Sequence, residues 1–141
     1  MSENNFDLSV VGGGPGGYHA AIRAAQLGLN AALIEKDDGS GYAGLVGVCL
    51  NWGCIPSKSL LKNAELVNQI KDSDKWGISF DNVSFDFAKA ISRSRDVSKQ
   101  LTQGIEYLVK KNKITLFKDT ASLTGDNSIK LLNSGESISS K

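Results

Sequence analysis

The stretch VVGGGPGGYHAA, residues 10–21, turns an extended chain into a helical one. Before it, Phe6–Val11 is a short apolar run ending on glycine, the pattern of a buried strand. After it, YHAAIRAAQLG (18–28) is alanine-rich and sets Tyr18, Ile22, Ala25 and Leu27 near one helical face. Pro15 suits only the start of that helix and Gly28 its C-terminal cap. Ala31–Glu35 then reads as a second buried strand. Strand, glycine turn, helix, strand is the βαβ opening of a parallel α/β sheet.

Gly12, Gly14 and Gly17 spell G-x-G-x-x-G inside that unit. Gly12 permits the tight turn, Gly14 lets a pyrophosphate approach the backbone, and Gly17 lets the helix pack closely on the sheet. The unpaired N–H groups of the helix start and its positive dipole end face the phosphates. Glu35 ends the next strand 18 residues after Gly17, where an acid accepts hydrogen bonds from an adenosine ribose. The motif implies a dinucleotide and leaves open whether it is NAD or FAD. A plain strand–helix turn with a solvated Glu35 is the competing account, and it has to treat these three agreements as coincidence.

The rest of the 141-residue chain fits one domain. With 40% apolar and 22% charged residues it is composed like a globular protein. Sixteen basic and 15 acidic residues give a charge of +1, which predicts no attraction to nucleic acid or anionic membrane. The start, Met-Ser-Glu-Asn-Asn, lacks the pattern of a signal peptide, and no apolar run is long enough to span a bilayer. A cytoplasmic location is the expectation.

Residues 37–48, DDGSGYAGLVGV, read as a glycine-rich loop. A helix is expected through CLNWGCIPSKSLLKNAELVNQI (49–70), distorted in its first turns by Pro56. A second is expected from an N-cap at Ser84, with Phe87, Ile91, Val97, Leu101, Ile105 and Leu108 at mostly helical spacing. Lys110, Lys111 and Lys113 form its solvated end, and Trp76 is expected in the core. KITLFKDTASL (113–123) and SIKLLNSGESI (128–138) read as two strands joined by a turn at Gly125–Asp126–Asn127. No second βαβ pattern is evident, and the domain reads as incomplete.

Cys49 and Cys54 are separated by four residues, unlike the closer pairs of zinc fingers and ribbons. The single histidine, His19, adds little to any metal site, so none is expected. A disulfide needs Cα atoms within about 7 Å, which Gly53 and Pro56 allow by breaking regular helix. Two buried, inert thiols are the other reading.

VVGGGPGGYHAAIRAAQLG, LIEK and above all GVCLNWGCIPSKSLL (47–61) resemble the N-terminal FAD-binding region of the flavin-dependent disulfide oxidoreductases. The family pattern G-G-[TV]-C-[LV]-N-x-G-C-[IV]-P-[ST]-K is met at every position but one, and the likeness runs through KNKITLFKDTASLTG (111–125). It leans toward the branch that oxidises dihydrolipoamide; glutathione and mercuric reductases are the alternatives. The implied fold is a Rossmann-like FAD-binding domain with a parallel sheet and added antiparallel strands.

The resemblance implies a role for each matching residue. Cys49 is the interchange thiol facing the substrate, and Cys54 lies against the flavin. Lys58 reaches the isoalloxazine; Gly47 and Val48 line the ribityl side. Gly12, Gly14, Pro15, Gly16 and Gly17 hold the pyrophosphate, Glu35 and Lys36 the adenosine, and the Ala121 backbone meets the adenine. Electrons would pass from a dithiol through Cys49–Cys54 to FAD and then NAD. The implied partners are the lipoyl domain of 2-oxo acid dehydrogenase complexes and a second copy of the chain in a homodimer.

Four departures stand out. Val46 replaces the first glycine of the pattern, disfavouring positive φ and adding bulk beside the ribityl chain. The loop from Asp37 to Leu45 is long, and Asp119 stands where glycine is common. Trp52, between the cysteines, replaces an aliphatic residue and is expected to pack beneath the active helix. Residues 1–141 correspond to the N-terminal segment of the FAD domain; the NAD domain, dimerisation domain and catalytic His–Glu pair of the family lie elsewhere. By itself the segment is expected to be inactive, or to act as a stand-alone FAD- or adenine-nucleotide-binding module.

Overall fold

The computed structural model describes residues 4–36, 45–125 and 127–141. The reading of residues 37–44 as a loop lies outside them, as does Asp126 in the expected 125–127 turn.

The expected first strand is two. β1 (Asn4–Phe6) and β2 (Leu8–Val11) are separated at Asp7 and enter different sheets. Asp7 sits at the crossing: its carboxylate accepts the Asn30 N–H at 2.9 Å and pairs with Lys141 at 2.7 Å. α1 (Pro15–Gln26) starts with proline at its first position and ends at Leu27, with Gly28 beyond it at φ 87°. Its core face is Tyr18, Ala21 and Ala24; Leu27 is exposed.

β3 (Ala31–Glu35) pairs in parallel with β2 on one side and with β4 (Thr115–Lys118) on the other. The intervening helices are therefore a second crossover between parallel strands, which the sequence reading did not recognise because the described part of the return holds three helices, not one. They are α2 (Gly47–Asn51), α3 (Cys54–Lys71) and α4 (Phe87–Lys111). The expected continuous helix over 49–70 is broken at Trp52–Gly53 rather than at Pro56. Pro56 occupies the first turn of α3, where a missing N–H leaves no hydrogen bond unmade.

The cap of α4 is Asp86, not Ser84: its side chain accepts the Lys89 N–H at 3.0 Å. Of the apolar residues at helical spacing, Ile105 packs against the core while Phe87, Leu101 and Leu108 are exposed; the buried residues are Ala90, Ser94, Ser98 and Val109. Small residues let α4 lie close along α3 and α2, and the serine hydroxyls bond back to Ile91 O (2.7 Å) and Ser94 O (3.2 Å). Trp76, expected in the core, is 80% exposed in a short 3-10 turn after α3.

Each of the two expected C-terminal strands also divides. KITLFKDTASL splits at Asp119–Thr120 into β4 and β5 (Ala121–Gly125); SIKLLNSGESI splits into β6 (Ser128–Leu131) and β7 (Ser137–Ser140). β5, β6 and β7 are antiparallel, and β7 pairs in parallel with β1, giving the order β1-β7-β6-β5 beside a parallel sheet β2-β3-β4.

β3 ties the layers together. Ala31 and Leu33 face a core shared with α1, Leu45, Val46, Leu50 and Val109. Ala32 and Ile34 face Phe6, Ile129, Leu131 and Ile138 on the other side. Helices, parallel sheet and antiparallel sheet are thus stacked in that order, the Rossmann-like arrangement expected.

Candidate cofactor and disulfide site

The site lies where parallel strands end, the usual ligand crevice of such sheets. Gly12 leaves β2 at φ 97°, and its N–H is held by Ile34 O at 2.8 Å. A side chain on Gly17 would drive into the Gly12 carbonyl, so α1 can approach β2 this closely only with glycine there. Gly14 caps α1 with no side-chain partner for the first N–H groups, and a Cβ at Gly14 or Gly16 would meet open space. A bare helix start beside that space fits a pyrophosphate.

Gly13 was not singled out in the sequence, yet it ties the turn together. Its N–H donates to the Glu35 carboxylate, and its carbonyl accepts the Val46 N–H at 2.9 Å. A glycine with both backbone groups engaged carries no motif letter of its own in G-x-G-x-x-G, which is why it was missed. Val46 nonetheless adopts φ 93°, the positive value that a β-branched residue disfavours. Its bulk, expected beside the ribityl chain, is instead wholly buried in the core with Tyr18, Leu45 and Leu50. Gly47 follows so closely that a Cβ there would lie 2.8 Å from Gly14 Cα. The starts of α1 and α2 thereby abut.

Two residues into α2 is Cys49, half-buried against the core; Cys54 opens α3 and is exposed. A disulfide joins them, with Cα atoms 4.7 Å apart. The Trp52–Gly53 break makes this separation: the N–H groups of both residues donate to Val48 O, at 2.8 and 2.7 Å. Trp52 is 47% exposed and faces Arg95 rather than lying beneath the helix as expected, since the break turns it outward toward α4.

Lys58 lies one turn beyond Cys54 on α3 and is exposed, as are Val48 and Lys36. Ala121 starts β5 just past the end of β4, whose register matches Lys118 to Glu35. The glycine turn bonds Glu35 and abuts Gly47, which shares α2 with Cys49 of the disulfide, whereas Lys36, Lys58 and Ala121 share only the neighbourhood. Asp119, at the departure from glycine, is buried and accepts N–H groups from Thr120 (2.6 Å), Asn133 (2.9 Å) and Ser134 (2.9 Å). Burial pushes its pKa up, but these backbone donors and the Ser134 hydroxyl outweigh it and hold the carboxyl below its ordinary value. His19 is exposed on α1, with Nδ1 2.5 Å from Pro15 O and its ring against Tyr18.

Residues 6–141 match the pyridine nucleotide-disulphide oxidoreductase family. The chain belongs to this family. Among curated relatives, it is 43% identical over 130 residues to a dihydrolipoyl dehydrogenase of Chlorobaculum parvum, covering 92% of this chain and 26% of the relative. For the enzyme of that name from Bacillus subtilis the identity is 47% over 131 residues, covering 92% and 27%. For that of Mycobacterium bovis it is 54% over 112 residues, covering 79% and 23%. The chain therefore spans about a quarter of the length of these pyridine nucleotide-disulphide oxidoreductases. Among the described residues no helix is long and apolar enough to cross a membrane, and no group of three or more acidic, His or Cys side chains is placed to hold a metal.

Proposed function

We propose that this chain is the N-terminal, FAD-binding and redox-disulfide segment of a dihydrolipoamide dehydrogenase acting in the cytoplasm. The observation carrying this reading is the Cys49–Cys54 disulfide at the α2–α3 break, joined through Gly47 to an open glycine turn.

The glycine turn from Gly12 to Gly17, with Pro15 and Gly16 at the helix start, would hold the pyrophosphate. Glu35 and Lys36 would bind the adenosine, with the Ala121 backbone at the adenine; Gly47, Val48 and Lys58 would line the flavin side. Glu35 must then share its carboxylate between the Gly13 N–H and the ribose, which its second oxygen permits. When bound, FAD supplies the two-electron acceptor between the dithiol and NAD.

The chain's own chemistry is thiol–disulfide exchange. A thiolate of dihydrolipoamide attacks Cys49 Sγ, the Cys49–Cys54 bond breaks, and Cys54 leaves as a thiolate. The second substrate thiol then displaces Cys49, releasing lipoamide and leaving both protein sulfurs reduced. Cys54, opening α3, leaves at a helix N-terminus, where the dipole favours a thiolate. The lipoyl domain as donor and a homodimer, whose second copy brings the base, complete the proposed setting.

The test uses residues 1–141 with added FAD. FAD should bind, with its fluorescence changed, and dihydrolipoamide should expose two thiols that are absent from a Cys49→Ser, Cys54→Ser control. NADH formation should stay at the level of that control. A positioned acid–base group alone is worth ~10²–10⁴ in rate, and hydride transfer also needs a held nicotinamide. Absence of both flavin binding and dithiol reduction would refute the proposal.

A further inference from the structure

The two cysteines enclose Leu50, Asn51, Trp52 and Gly53, and α4 grips two of these four residues from outside. Arg95 Nη1 donates to the Asn51 carbonyl at 2.9 Å. Its guanidinium carbon lies 4.7 Å from the centroid of the Trp52 ring, a cation–π contact. Two turns further along α4, the Thr102 hydroxyl donates to Asn51 Oδ1 at 3.3 Å. Both α4 residues are half-buried. Contacts across 44 and 51 positions of sequence thus converge on a loop whose two cysteines are only five positions apart.

We propose that Arg95 and Thr102 are positioning residues that clamp the loop between the cysteines and so set its dithiol–disulfide equilibrium. The inference rests on the redox-disulfide reading and deepens it. In the oxidised form the covalent bond holds the loop closed. In the reduced form nothing covalent does, and the Trp52–Gly53 break is held by its two backbone bonds to Val48 O and by the α4 contacts. A clamp present in the closed loop raises the effective concentration of each sulfur for the other, and so favours the disulfide. By reciprocity the disulfide strengthens the clamp. Arginine suits the task because its planar group can donate to a carbonyl and cover an indole together; a lysine ammonium cannot do both.

The experiment equilibrates the 141-residue chain with mixtures of reduced and oxidised glutathione, then traps thiols by alkylation. Two glutathione thiols give up two electrons and two protons, becoming one glutathione disulfide, as Cys49–Cys54 becomes two thiols. The probe needs no flavin or NAD. In the variant Arg95→Met, Thr102→Val, the equilibrium constant for the disulfide should fall about tenfold, a rise in potential of about 30 mV. Arg95→Lys and Thr102→Val alone should each shift it about threefold the same way, which keeps the test open if the double variant unfolds. Arg93→Met removes a neighbouring arginine that bonds Ser59 instead, and should leave the potential unchanged. A general loss of stability would not move the potential while both redox forms stay folded. Equilibrium constants within twofold of the parent in every folded clamp variant, or a shift toward a tighter disulfide, would overturn the clamp. Failure of the parent chain to form the disulfide would instead overturn the redox-disulfide reading beneath it.

Discussion

A valine at φ 93° holds a backbone conformation that glycine adopts without strain, and Val46 holds it while wholly buried. Such strain is of order 1–3 kcal/mol, similar to the about 1.5–3 kcal/mol that burying a valine side chain contributes. Val46→Gly should therefore change stability by less than about 1 kcal/mol. Val109→Ala, in regular helix and equally part of the core, should cost about 2 kcal/mol. Denaturant midpoints of the two variants decide this; an equal or larger loss for Val46→Gly would contradict it. Asp119 is another departure from the family pattern. Its folded pKa is depressed, so its contribution is present above the ordinary carboxylate range and is lost as pH falls through the folded value. Asp119→Asn should lower the melting temperature at pH 7, and the gap to the parent should close on acidification below about pH 4. A gap independent of pH would show that the carboxylate charge is not what holds the 133–134 turn.

At the scale of elements, α4 depends on small size rather than apolar character. Ser94 is wholly buried, and its hydroxyl returns to its own helix at Ile91 O. Ser94→Ala should be tolerated within about 1 kcal/mol, whereas Ser94→Leu should destabilise by roughly 1–3 kcal/mol through overpacking. Thermal unfolding of both variants tests this, and a well-tolerated leucine would mean that the helices have slack between them. The large apolar residues noted at helical spacing did not reveal this: close helix packing selected Ala90, Ser94 and Ser98.

For the whole molecule, β3 is the shared wall of two cores, with Leu33 on one face and Ile34 on the other. Either residue cut to alanine should cost about 2–5 kcal/mol. Because one strand carries both faces, the helical and antiparallel layers should unfold together. Circular dichroism and tryptophan fluorescence should give coincident transitions in the parent and in both variants. A layer that melts separately in either variant would show that β3 does not couple them.

What the sequence determined was local chemistry. Gly12, Gly14 and Gly17, Pro15, the alanine-rich helix, the buried run Ala31–Glu35 and the Cys49–Cys54 spacing each act over a turn or less. Their backbone demands are written in the residues themselves. Only tertiary structure decided the rest. Whether 6–11 is one strand or two depends on β7, about 130 residues away, pairing with β1 and not β2. That Val46 turns its side chain into the core depends on Gly13 taking its N–H. That Trp52 faces Arg95 depends on α4 crossing the disulfide loop. Such pairings are chosen by packing and hydrogen-bond satisfaction between segments far apart in the chain, so no short stretch of sequence contains them.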